Sequence, residues 1–390
     1  MTTTRVGVPR ESAPGERRVA LVPDLVPAVG RLGATVLVES GAGTRAGHRD
    51  ADYRAAGATV TGRADLLRRA DVLLGIHPPG VDPARELRPG LVLVAMLRPH
   101  RIPYLVRRWA DRGVTAIGLD LAPPEPPAAH LVDAEASQSR VAGYRAVLLA
   151  ATRLDRCLPP WGTADGLLDP VRVLVVGAGH AGLQAVDTAR RLGAPVHAVE
   201  LRRRERAAAT ALGADLLDLP GLHPVADDRE LWQSLDHRRS AWTGGLAEAA
   251  GRHDLVVTAL TRPDGPPPVL LGAAAVAAMP PGAVLVDLAA EPEGGNIEGA
   301  RPDTTTPVGA GVTVIGAGEL AAQAPGTASH AYAHNVLALL TRLLYRGTPR
   351  AAALAADPVL GPMLVTDRGL VLHEPTRRFL LAATAVAGLP

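Results

Sequence analysis

Residues 172–176 read Arg-Val-Leu-Val-Val and run directly into Gly177-Ala178-Gly179-His180-Ala181-Gly182, after which LQAVDTARRLG has the spacing of an amphipathic helix. An apolar run that closes on three glycines and reopens as a helix admits few folds. It predicts a strand, a tight turn and a helix packed back on that strand, the first half of a doubly wound α/β unit. Gly177 makes the turn, Gly179 lets a ligand approach the backbone, and Gly182 lets helix and strand pack closely. The helix N-terminus then faces the turn, a place suited to phosphate. A second strand, PVHAVE, ends at Glu200, 23 residues after Gly177. An acid at that distance accepts hydrogen bonds from the adenosine ribose of a bound dinucleotide. Glu200 favours NAD(H), because a carboxylate repels a 2′-phosphate. The adjacent Arg202, Arg203 and Arg204 either hold such a phosphate or form a solvated helix start.

The first third of the chain alternates in the same way, through RVGVP, DLVPAVGRLG, TVLVES, DVLLGI, LVLVAML and VTAIGLD, and predicts another parallel sheet covered on both faces. The proline-rich APPEPPAAH at 122–130 breaks the pattern. DAEASQSRVAGYRAVLLAATRLDRC then predicts one amphipathic helix of about six turns, with Asp133 as N-cap and an end near Cys157. The second alternating block closes with GAVLVDLAA and VTVIGAG. A helix from about Ala331 to Tyr345 follows, and MLVTDRGLVLHEP predicts a hairpin turning at Asp367 to Gly369, after which the tail returns to the first domain. The fold class expected is α/β, with two doubly wound Rossmann-like domains joined by long helices. The first spans 1–132 and is completed by 328–390; the second, the NAD(H)-binding domain, spans 133–327.

With 390 residues, 47% hydrophobic and 21% charged, the chain is long enough to build both cores. All 41 basic residues are arginine, so chemistry that needs a lysine Schiff base or lysine acid is excluded. Against 39 acidic residues they leave a net charge of +2, no footprint for a nucleic-acid partner. Cys157 alone forms neither an intramolecular disulfide nor a zinc cluster and is expected to be a buried spectator thiol in a reducing cytoplasm. The N-terminus has no apolar signal-peptide segment. The uncharged stretch from Pro266 to Val286 is long enough to span a bilayer, but Pro280, Pro281 and Gly282 break it, so it reads as an Ala-rich helix, a turn and a buried strand. The expected location is cytoplasmic, with no direct membrane insertion.

Several longer runs carry a resemblance: RVGVPRES with ERRVALVP, VESGAG at 38–43, AGYRAVLLAA at 142–151, VVGAGHAGLQA, VLVDLAAEPEGGN at 284–296 and TASHAYAHNVLALL at 327–340. Together they resemble the alanine dehydrogenase and pyridine-nucleotide transhydrogenase family over essentially the whole chain. AGYRA and DLAA with GGN are more similar to the soluble NAD(H)-binding domain of the transhydrogenase alpha subunit. That resemblance implies a two-lobed protomer, a homodimer, and direct hydride transfer from bound NAD(H) to NADP on a separately encoded subunit. Membrane subunits would place the chain peripherally at the inner membrane face. The cofactor contacts implied are Gly177, Gly179, His180, Ala181, Gly182, Glu200, Leu201 and Arg202 around the loop, Ala259, Leu260 and Asp287 after later strands, and His130.

The family's nicotinamide loop carries an arginine, a glutamine and an aspartate. The aspartate falls on Asp133, but the glutamine falls on His130 and the arginine on Glu125, which reverses a charge. The alanine dehydrogenase branch needs an arginine, a lysine, a histidine and an acid; these positions fall on Arg18, His77, Arg98 and Glu291. Arg18 and Arg98 could then clamp the carboxylate of a small oxo acid with His77 as proton donor, or His77 and Arg98 are polar rim residues with no substrate. Three readings follow: a transhydrogenase alpha-type oxidoreductase, a free-standing NAD-dependent amino or oxo-acid dehydrogenase, and a non-catalytic NAD(H)-binding regulatory module.

His330 and His334, spaced i, i+4, are half of a metal site, but without a third ligand in the pattern they read as structural polar contacts, and no metal is assigned. Ser329, Tyr332 and Asn335 on the same stretch read as braces. Trp232 and Trp242 mark either a mobile loop over the nucleotide or a packed helix.

Overall fold

The computed structural model describes residues 3–80, 87–262, 265–345, 348–349 and 351–387. The chain folds as two compact units, Met1–Gln138 with Ala324–Pro390, and Ser139–Gln323. Both are doubly wound α/β units, the fold class the alternating pattern predicts.

In the first unit, strands β1 (Thr4–Val8), β2 (Ala34–Glu39), β3 (Thr59–Thr61), β4 (Val72–Leu74), β5 (Val92–Ala95) and β6 (Thr115–Gly118) lie in the order β3-β2-β1-β4-β5-β6. Every pairing among them is parallel. All residues of β4, β5 and β6 are buried, which is why these segments read as continuous apolar runs instead of alternating ones. The C-terminal hairpin, Leu364–Asp367 with Leu370–Val371, adds antiparallel to β6. Its turn puts Arg368 at φ 48° and Gly369 at φ 82°, two consecutive left-handed residues that match the twist of a tight hairpin. Thr366 seals the junction, donating to the Val114 carbonyl and accepting from the Ala116 N–H.

The second unit begins with an exposed hairpin, β7 (Trp161–Thr163) and β8 (Gly166–Leu168). Its sheet contains β9 (Val173–Val176), β10 (Val196–Val199), β11 (Asp215–Leu216), β12 (Leu255–Thr258), β13 (Val284–Asp287), β14 (Thr304–Val308) and β15 (Val312–Gly316), in the order β11-β10-β9-β12-β13-β15-β14. Only β14 runs antiparallel to its neighbour. In each sheet the strand order reverses beside the first strand, between β1 and β4 and between β9 and β12. There the loops leave in opposite directions and open a crevice at the strands' carboxyl ends.

Several boundaries differ from the sequence reading. The long helix covers Ala134–Ala151 and stops short of Cys157, because the Arg153 and Leu154 N–H groups fold back onto the Ala150 carbonyl. Asp133 does cap it, accepting from the Ala136 N–H at 2.8 Å. Cys157, in the turn beyond, is exposed and not buried. The return helix starts at Pro325 rather than near Ala331, with proline at its first turn. The Pro266–Val286 stretch contains a short helix, Ala273–Ala277, then a turn with Gly282 at φ 78° before β13. Among the described residues no helix is long and apolar enough to cross a membrane. Trp232 and Trp242 sit on consecutive helices, Asp228–His237 and Arg239–Ala250, and Trp242 is buried in the core of the second unit.

Candidate functional site

The glycine loop follows β9 at the second unit's switch point. Gly177 has φ 88°, and a Cβ on Gly182 would lie 1.8 Å from the Gly177 carbonyl oxygen, so only glycine lets the helix His180–Arg191 start against the turn. Gly179 is its N-cap, with no side chain capping it, and the nearest atom to a Cβ there is an Arg202 guanidinium nitrogen at 4.0 Å. The loop thus offers open backbone at the positive end of a helix dipole. The long helix is pressed onto the same place: a Cβ on Gly143 would meet the Ala181 carbonyl oxygen at 2.0 Å. That contact is the physical content of the AGYRA motif.

Glu200 organises the loop. Its buried carboxylate accepts from the N–H groups of Ala178 (2.8 Å), Leu201 (2.8 Å) and Arg202 (2.9 Å), and from the Arg202 guanidinium at 2.7 and 3.0 Å. Burial alone would raise its pKa, but the hydrogen bonds and charge of Arg202 outweigh that and hold the group below the ordinary carboxylate range. Arg202 also pairs with Asp228 at 2.8 Å. It is therefore held as part of the acid site, while Arg203 and Arg204 are exposed.

Across the switch point, the Ala259 carbonyl faces Gly177. The loop there is fixed by Asn296, which accepts from the Leu260 N–H and donates to the Leu260 and Pro268 carbonyls, each at 2.9 Å. Asp287, expected among the cofactor contacts, is fully buried and braces the fold instead. Its oxygens accept from Thr258, the Ala289 N–H and the Ile297 N–H, and burial pushes its pKa up to about 6. Glu291 lies in a tight turn, exchanging backbone hydrogen bonds with Gly294.

In the first unit the equivalent crevice, a cavity of about 180 Å³, is lined by Glu11 after β1, His77 after β4 and Arg63 at the start of the helix after β3, among others. Arg18 is fully buried. Its guanidinium binds Glu16 through Nε at 2.9 Å and Nη2 at 2.6 Å, and Gln138 through Nη1 at 2.9 Å. Glu16 also accepts from the His77 ring at 2.7 Å. Burial opposes ionisation of Glu16, yet His77 and Arg18 together hold its pKa well below the ordinary range. Glu11 differs: burial raises its pKa, against a 2.6 Å hydrogen bond from the Ile76 N–H.

Arg98 is exposed, at φ 42°, with its own N–H and that of Leu97 held by Asp120 at 2.8 and 2.7 Å. With His77 and Arg101 it lines a neighbouring cavity of about 190 Å³. His77 is thus linked to the buried Arg18 through Glu16 and shares a cavity lining with Arg98, while Arg18 itself lines neither of these two cavities. His130 is exposed on the 3₁₀ turn Pro127–Leu131, and Glu125 before it is exposed too. Ser329 accepts from the Val19 N–H, Tyr332 donates to the Gly75 carbonyl at 2.6 Å, and Asn335 bridges Ser137 and the Leu131 carbonyl, so the return helix braces this site. Gln138 and Asp120 do not stand out in the sequence, whereas Glu16 opens the ERRV run two residues before Arg18 and Asn296 closes the GGN run.

Two switch-point crevices, one fronted by an open glycine cradle with an acid at the end of the next strand, define a protein of the dinucleotide-binding Rossmann class. The chain belongs to the alanine dehydrogenase/PNT family of oxidoreductases: residues 7–142 match its N-terminal domain and residues 146–374 its C-terminal domain. It is 33% identical over 389 residues to NAD(P) transhydrogenase subunit alpha of Cereibacter sphaeroides, covering 98% of this chain and 73% of that one. It is 32% identical over 377 residues to alanine dehydrogenase of Mycobacterium tuberculosis, covering 95% of each. A solved transhydrogenase structure from Sinorhizobium meliloti superposes with a TM-score of 0.83 at 33% identity, covering 94% of this chain and 100% of that one.

Proposed function

We propose that the chain binds NAD(H) at the glycine loop of its second unit and serves as the alpha-type component of a transhydrogenase, exchanging hydride with NADP held by a separate subunit. The observation that carries this over an oxo-acid dehydrogenase is the state of Arg18. Its buried guanidinium already holds Glu16 and Gln138, and Glu16 occupies His77 as well. A substrate carboxylate would have to displace an internal one and approach its negative charge.

Gly177, Gly179 and Gly182 fit a pyrophosphate, and Glu200 would take the adenosine ribose hydroxyls by exchanging one of the hydrogen bonds that it accepts from Ala178, Leu201 and Arg202. When bound, the nicotinamide supplies or accepts a hydride. The protein's own contribution is to hold that ring in place, a contribution of positioning and not of acid-base chemistry. Because Arg202 offsets the charge of Glu200, discrimination against NADPH is expected to be modest. Homodimer formation, membrane partner subunits and a peripheral cytoplasmic location belong to the same reading.

The test combines the purified chain, NADH and NADP+ with the NADP-binding subunit of a related transhydrogenase. NADPH formation that requires both proteins is the expected result. NADH oxidation by an oxo acid with ammonia, abolished in His77→Ala, would move the protein to the dehydrogenase reading. NADH binding with neither turnover would leave a regulatory module.

A further inference from the structure

We propose that His330 and His334 form a binding site for a borderline divalent transition-metal ion of the Cu2+, Ni2+ or Zn2+ type. Both lie on the return helix Pro325–Leu343, one turn apart, and both are exposed. The opposite face of that helix, through Ser329, Tyr332 and Asn335, is buried in the first unit, so the rings point away from the bracing network and take no part in it. The rings converge and hydrogen-bond to one another through Nε2 at 3.2 Å, with their planes at 64°, so an ion would replace the proton that the two nitrogens share.

With metal–nitrogen bonds of about 2.0–2.1 Å, two nitrogens at 3.2 Å subtend about 100° at the metal, between the square and tetrahedral angles. The pair is therefore spaced as a chelate before any ion arrives, and a helical turn holds it there, so little order remains to be imposed on binding. Imidazole nitrogens select Cu2+, Ni2+ and Zn2+ over Mg2+ and Ca2+, with Cu2+ bound most tightly. Water completes the coordination. The nucleotide loop belongs to the other unit.

Untagged, chelator-treated protein titrated with CuCl2 in a calorimeter, with electron paramagnetic resonance on the same sample, tests this. The expected result is one strong Cu2+ site per chain with nitrogen coupling from two imidazoles. His330→Asn and His334→Asn should each weaken it by at least about tenfold. His237→Asn, an exposed histidine of the second unit, should leave it unchanged. Affinity unaltered by either helix substitution, or a signal lacking a second imidazole nitrogen, would overturn the proposal.

Discussion

Glu16 governs what Arg18 and His77 can do, because it is a buried carboxylate bonded to both. Replacing it with leucine strands the Arg18 charge in the core, and urea denaturation should show a loss of about 3 kcal/mol. Glu16 and Asp287 also answer to pH with opposite signs. The pKa of Glu16 is lowered in the fold, so its contribution is complete above the ordinary glutamate pKa and is lost as the solution is acidified below it. Asp287 is raised from 3.8 to about 6, so its ionised form opposes folding, and its contribution improves as pH falls from about 7 to 4. Denaturation of Asp287→Asn across that window should show a flatter pH dependence than the parent; an unchanged profile would refute the assignment. At this scale the sequence located Arg18, His77 and Arg98 but could not say that Arg18 is already paired. A buried charge and its partner meet through tertiary packing, and Gln138, 120 residues away from Arg18, leaves no local trace.

The long helix is an element whose two ends have different work. Asp133 caps its start, so Asp133→Ala should cost about 1 kcal/mol while Asp133→Asn retains most of the stability. Its middle glycine lets it reach the nucleotide loop. Gly143→Val should force helix and loop apart, destabilise the second unit by about 1–3 kcal/mol and weaken NADH binding. A variant with undiminished NADH affinity would show that this approach does not shape the cradle. Strands were easy to place from sequence, because buried parallel strands are unbroken apolar runs between glycine and proline punctuation. Helix ends were not: the sequence from Thr152 to Cys157 contains no glycine or proline to mark a stop, and the helix ends where backbone hydrogen bonds fold back onto Ala150. The hairpin at Asp367–Gly369 was legible because its turn residues dictate its geometry.

For the molecule as a whole, two doubly wound units divide the labour: the second provides an open glycine cradle and the first a crevice whose cationic side chains are largely occupied from within. The doubly wound class of both units follows from the alternating pattern, while the strand order of each sheet and the closure of the Arg18 site required the folded chain to be seen. The chemistry therefore turns on the cradle. Arg202→Ala should expose Glu200 and sharpen preference for NADH over NADPH, read as a larger ratio of their dissociation constants. Calorimetric titration of the purified chain with NADH tests the central claim most directly. Saturable binding of one NADH per chain, abolished by Gly182→Val, is the result predicted; heat indistinguishable from buffer dilution with the folded protein would contradict it.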